Sequence, residues 1–126
     1  MSKPTVAILG ASADRSKFGN KSMRAHLRAG YDVYPVNPKG GEIEGLAAYA
    51  TLADVPLARL DRISVYLPPV VGLAMLEEIA AAGCHEVWFN PGSESPEILE
   101  RARALEIPAT AGCSIVNLGF SPTEFP

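Results

Sequence analysis

The stretch AILGASADRSKFGNKSMRAHLRAGYDVYPVNPKGG, Ala7 to Gly41, decides the fold. Just ahead of it Val6 begins a short apolar run, Val6-Ala7-Ile8-Leu9, closed by Gly10. That is the pattern of a strand buried on both faces. Phe18, Ser22, Met23, Leu27 and Gly30 then recur at three- and four-residue steps, which predicts a helix with one apolar stripe and a C-terminal glycine. Val33 to Val36 follows at once as a second strand.

The alternation continues outward. Asn37 to Gly45 reads as a loop rich in glycine, and Thr51 to Leu60 as a short, irregular helix. Arg62 to Leu67 is a third strand, stopped by Pro68-Pro69. Val71 to Ala82 is a helix ended by Gly83, and Glu86 to Phe89 a fourth strand, stopped by Asn90-Pro91-Gly92. Ser95 caps a helix whose first residue is Pro96, running to about Leu105. Ile107 to Thr110 is the fifth strand, and the turn-rich tail from Asn117 to Pro126 is expected to be loosely held. Strands joined by helices through short loops predict an α/β three-layer sandwich around a five-stranded, mainly parallel sheet.

The bulk numbers agree. A chain of 126 residues, 48% hydrophobic, fits one domain spanning 1–126 with a real core. No apolar run approaches the roughly 18 residues of a membrane span, and the start lacks a signal-peptide pattern. The expectation is a soluble, cytoplasmic protein with no membrane partner. Cys84 and Cys113 belong to no metal-ligand spacing and read as reduced thiols. A net charge of −3 argues against a nucleic-acid partner. Residues 1–39 nevertheless carry seven basic side chains against two acids, and the remainder four against twelve. That basic front end suits a small polyanion, although Arg24 and Arg28 read as a solvated helix face.

In such a sheet ligands bind at the carboxyl ends of the strands. Four of those ends carry unusual residues: Gly10-Ala11-Ser12, Asn37-Pro38-Lys39, Leu67-Pro68-Pro69 and Asn90-Pro91-Gly92. The dinucleotide fingerprint would need glycines at 10, 12 and 15, and the sequence has Gly10, Ser12 and Arg15. Its physics survives in part. A small-residue turn lets a phosphate approach the backbone, and the helix that follows offers free amides and a positive dipole end. Ser12 adds a hydroxyl, and Lys17 or Arg15 a charge. At the second strand end an acid would bind a free ribose hydroxyl. This chain has Asn37 and Lys39 there, which favours a ribose bearing its own phosphate. Coenzyme A and NADP both fit that description.

As a set these residues resemble the small CoA-binding domain proteins, whose Rossmann-like fold is shared with the amino-terminal domain of the succinyl-CoA synthetase alpha subunit. The resemblance runs from about Val6 to Gly119. It rests on Gly10-Ala11-Ser12 with Lys17 and Gly19, on Gly30-Tyr31 through Pro35-Val36-Asn37-Pro38, on Tyr66-Leu67-Pro68-Pro69, on Asn90-Pro91-Gly92 and on Ala111-Gly112-Cys113. It implies that Gly10, Ala11 and Ser12 hold a diphosphate, with Lys17 beside them. Lys39 would meet the 3′-phosphate, and Val36 and Pro38 the adenine. Leu67 and Pro68 would line the middle of the groove, and Phe89, Asn90 and Pro91 would flank the pantetheine arm. Asn90-Pro91 departs from the glutamine that many relatives carry before the glycine of the fourth turn.

No catalytic constellation is legible. The synthetase uses a phosphorylated histidine from a second domain. Here the only histidines are His26, read as a helix-surface or packing residue, and His85, read as a loop residue. Glu77 and Glu78 are adjacent and point to different sides of a helix. Ser12 lies in no nucleophile elbow, and no metal site is readable. Three readings follow: a non-catalytic coenzyme A or acyl-CoA binding protein, an NADP-binding oxidoreductase or redox sensor, and an interaction subunit that completes an acyl-CoA ligase.

Overall fold

The computed structural model describes residues 3–126. Five strands form one parallel sheet: β1 (Thr5–Leu9), β2 (Asp32–Val36), β5 (Leu60–Val65), β6 (Cys84–Phe89) and β7 (Ala109–Ala111), in the order β2-β1-β5-β6-β7. A short antiparallel pair, β3 (Glu42–Ile43) and β4 (Leu46–Ala47), stands apart from it. Because β2 lies on one side of β1 and β5 on the other, the strand order reverses at β1, which opens a crevice at the carboxyl ends there.

Side chains alternate across each strand, so β1 feeds two cores. Val6 and Ile8 pack with Met23 of α1 (Phe18–Arg28) on one face. Ala7 and Leu9 pack on the other with Leu76 and Ile79 of α3 (Leu76–Ala82) and Ile98 of α4 (Pro96–Ala104). The fold is therefore the three-layer α/β sandwich that the alternation predicts.

Several elements depart from the sequence-based expectation. The helix expected over Thr51–Leu60 is a single 3₁₀ turn, Leu52–Asp54. Pro56 has no amide to continue it and forces Val55 into extended backbone (φ −65°, ψ 123°). The helix expected over Val71–Ala82 starts earlier, with Pro69 as its first residue, and divides at Met75 into α2 (Pro69–Ala74) and α3. The two pieces serve different neighbours: α2 packs on α4, and α3 on the Leu52–Asp54 turn. The last strand begins two residues late because Ile107 turns into the core and Pro108 cannot donate to a ladder.

The loop Asn37–Gly45 contains β3 and most of a tight hairpin. Glu44 and Gly45 both have positive φ (50° and 79°), as a two-residue turn matched to strand twist requires. The tail is docked, not loose. Residues Ser114–Asn117 form α5 beside α1, and Ser121 and Glu124 form a reciprocal cap around the turn Pro122–Glu124. Phe125 is 2% exposed, against Ala25 and Ile115. Arg28 is exposed, as expected, while its guanidinium also lies 4.4 Å from the Phe125 ring centroid.

Candidate functional site

A groove of about 770 Å³ crosses the carboxyl ends of the sheet. Nine predicted residues line it: Gly10, Ala11, Ser12, Lys17, Asn37, Pro38, Leu67, Pro68 and Pro91. They come from the ends of β2, β1, β5 and β6. With strands about 4.8 Å apart, the groove spans roughly 15 Å. Its wall contains no carboxylate.

The narrowest packing is at the first turn. Gly10 has φ 88°, and a Cβ there would stand 2.6 Å from the Tyr66 carbonyl oxygen. The Gly10 and Ala11 amides share the Val36 carbonyl oxygen through long bonds of 3.3 Å. Beyond them the loop Ser12–Lys17 is stitched to itself: Asp14 N donates to Ser12 Oγ (3.1 Å), and Ser16 donates its amide and hydroxyl to Asp14 Oδ1 (3.0 and 2.6 Å). Those bonds from Ser16 hold the Asp14 carboxyl below its usual range. Helix α1 starts at Phe18 with no side-chain cap and no acid in its first turn. The Phe18 and Gly19 amides donate to nothing among the described residues. Two open amides at a helix start, beside Lys17, are free to donate to an anion.

At the second strand end Asn37 is a building block of the turn. Its Nδ2 donates to Ala11 O (2.8 Å), and its Oδ1 accepts from the Lys39 amide (2.8 Å). The Lys39 side chain is exposed and lies outside the groove wall.

Three other predicted residues sit behind the wall. Val36 and Phe89 belong to the core. Asn90, 1% exposed, bonds inward: Nδ2 donates to Ser64 Oγ (2.9 Å) and Val65 O (3.0 Å), and Oδ1 accepts from Ser114 N (2.8 Å). Ser114 Oγ also meets Ser64 Oγ (2.7 Å) and the Tyr66 hydroxyl (3.1 Å). Burial pushes the Tyr66 phenol above its usual pKa.

Seven further residues line the groove: Pro69 and Gly92 from the strand-end motifs, Gly19 and Tyr66 from the motifs that carry the resemblance, and Ser16, Phe18 and Ser93, which no motif places there. Phe18 is the most telling. It starts α1 yet is 56% exposed on the rim, where an apolar stripe residue would be expected to point inward. Its place immediately after Lys17 at a helix start is the signal that could have found it.

The histidines lie away from the groove. His26 is fully buried; its Nδ1 donates to Ser22 O (2.8 Å) and its Nε2 accepts from Arg62 (3.3 Å). Burial drives its pKa down to about 4. His85 is the second residue of β6, not a loop residue, and lies 4.0 Å from Asp61 at the amino ends of the strands. No group of three potential metal ligands occurs among the described residues, and none of their helices is long and apolar enough to cross a membrane.

An open parallel sheet, reversed at β1, with an acid-free groove over a glycine turn and a helix start, defines a Rossmann-like α/β domain. Within that class the chain belongs to the CoA binding domain family, whose profile matches residues 4–119. It is similar to a conserved hypothetical protein from Pyrococcus furiosus, with 33% identity and a TM-score of 0.80 over 92% of this chain and 99% of that one. It also resembles the ADP-forming acetate–CoA ligase I subunit alpha of the same organism, 34% identical over 85 residues, or 63% of this chain and 18% of the subunit. A solved acetyl-coenzyme A synthetase of Candidatus Korarchaeum cryptofilum, in complex with phosphate and ADP, matches with 28% identity and a TM-score of 0.70. That match covers 83% of this chain and 25% of the synthetase. The chain thus spans less than a fifth of the length of the curated relatives it matches.

Proposed function

We propose that this chain binds coenzyme A or an acyl-CoA in the groove and performs no chemistry on it. The observation that carries the reading is one continuous, acid-free groove over β2, β1, β5 and β6, with open helix amides at its centre. Membership of the CoA binding domain family supports it. In this reading the Ser12 hydroxyl, Lys17 and the Phe18 and Gly19 amides hold the diphosphate, over the turn made by Gly10 and Ala11. Asn37 and Pro38 border the adenosine, and Val36 backs them from the core. Lys39 reaches the 3′-phosphate from solvent. Leu67, Pro68 and Pro91 face the pantetheine arm, and Phe89 and Asn90 set the wall behind it.

A second reading, that the chain completes an acyl-CoA ligase, is favoured by relatives whose names are ligases and of which it matches only a part. Stoichiometric co-elution with a ligase-like chain would favour that reading.

Calorimetric titration with CoA, dephospho-CoA, NADP and NAD tests the ligand. CoA is expected to bind tightest. Because Lys39 is exposed, dephospho-CoA should lose only about 0.5–1 kcal/mol, the worth of a solvated ion pair. Lys39→Ala should remove that difference. NADP binding more tightly than CoA, or no CoA binding at all, would overturn the proposal.

A further inference from the structure

The loop Ser12–Lys17 is exposed from Ala13 onward, yet three side chains, two from α1 and one from the β3–β4 turn, grip it. Asn20, fully buried in the first turn of α1, donates through Nδ2 to Ser12 O (2.8 Å) and to the Glu44 carboxylate of the β3–β4 turn (3.1 Å). Glu44, held at positive φ, also pairs with Arg15 (3.5 Å). The third grip is Arg24. Its Nε donates to Asn20 Oδ1 (2.8 Å), and its Nη2 to Arg15 O (2.8 Å) and Phe125 O (3.1 Å). Its Nη1 donates to Pro126 O (3.0 Å). One forked guanidinium therefore joins the loop, the helix start and the docked Phe125–Pro126 segment. A lysine, with a single head group, has no fork to span these acceptors.

We propose that Arg24 is the positioning residue of the phosphate-side loop, and that through it docking of the Phe125–Pro126 segment and ligand binding in the groove are coupled. The coupling rests on the coenzyme reading above, but the positioning role does not. An exposed loop must be ordered when a ligand binds, and ordering it beforehand raises affinity. Arg24 does so at two points of the loop, directly at Arg15 O and through Asn20 at Ser12 O. Coupling of this kind is reciprocal: if the segment strengthens binding, the ligand must steady the segment.

The test uses Arg24→Gln, Phe125→Ala and the double variant, with hydrogen exchange and CoA titration. Phe125→Ala loosens the far end of the tie without touching the loop. In ligand-free protein, Arg24→Gln should speed exchange at residues 13–17 and 120–126 while the sheet amides keep their rates. CoA affinity should fall roughly tenfold, about 1.4 kcal/mol. Phe125→Ala should weaken binding several-fold alone and hardly at all in the Arg24→Gln background, as coupled residues do. CoA should slow exchange at 120–126 in the native chain and not in Arg24→Gln.

Unchanged loop exchange in Arg24→Gln would overturn the positioning role, whatever the ligand proves to be. Additive losses in the double variant would overturn the coupling. If the native chain binds no CoA, the coenzyme reading fails by itself, and the ligand-free exchange still decides the role of Arg24.

Discussion

At Gly19 helix α1 presses so closely on the first turn that a Cβ would overlap the Gly10 carbonyl oxygen. This is the job of the last glycine in a dinucleotide fingerprint, close packing of helix on strand. Here that glycine comes later, because the loop Ser12–Lys17 is longer than the fingerprint allows. The motif fails as a spacing and survives as a contact. Gly19→Ala should therefore push the helix off the turn, costing about 1–3 kcal/mol in urea denaturation and weakening ligand binding with it. A variant with native stability and native CoA affinity would contradict this account. Asn90 teaches the converse. An asparagine before Pro-Gly reads as a turn residue, and only its partners Ser64 and Ser114, 26 and 24 positions away, make it a core hydrogen-bonding hub.

Elements were legible where their signals are local. Ser95 and Pro96 predict the start of helix α4, and the Ser95 hydroxyl accepts from the Ile98 amide (3.1 Å). Ser95→Ala should cost about 1 kcal/mol by chemical denaturation and leave CoA affinity alone, since the cap lies outside the groove wall. A loss below a few tenths of a kcal/mol would mean that the cap is redundant with Pro96. Where elements were misread, the local signal was present but outweighed. Pro56 sat inside the segment read as a helix. The tail carried Ser121-Pro122-Thr123-Glu124, a capping-box pattern with proline at the first position, yet its composition suggested a loose end. Phe125 supplies what composition could not show, a buried ring against α1 and α5.

For the whole molecule, the layer between α1, β5, β6 and α5 is a polar core. Arg62, 5% exposed, pairs with Glu86, bonds Asn117 and His26, and lies over the Tyr31 and Trp88 rings at about 5.5 Å. His26 stays neutral there, with its pKa at about 4 against 6.5 for a free histidine, chiefly because burial disfavours the charged ring. Between those values the unfolded chain binds a proton that the folded chain refuses. Stability is thus complete above about pH 6.5 and declines as pH falls toward 4, by roughly 3 kcal/mol at most from this residue. His26→Gln should flatten that stretch of the stability–pH curve. An identical slope in both proteins would show that carboxylates, not His26, set the acid limit.

The sequence by itself determined the alternation of strands and helices, the parallel sheet, and the rim on which Gly10, Asn37, Leu67 and Pro91 meet. Apolar period and turn chemistry act between neighbours in the chain, so they are readable there. Tertiary structure alone decided that Asn90 and Phe89 face inward and that Arg24 gathers a loop and a tail. It also decided that Phe18 is turned out to the rim. Those outcomes depend on contacts between segments far apart in sequence, whose strength is set by burial and by which donor finds which acceptor, and no local pattern encodes that.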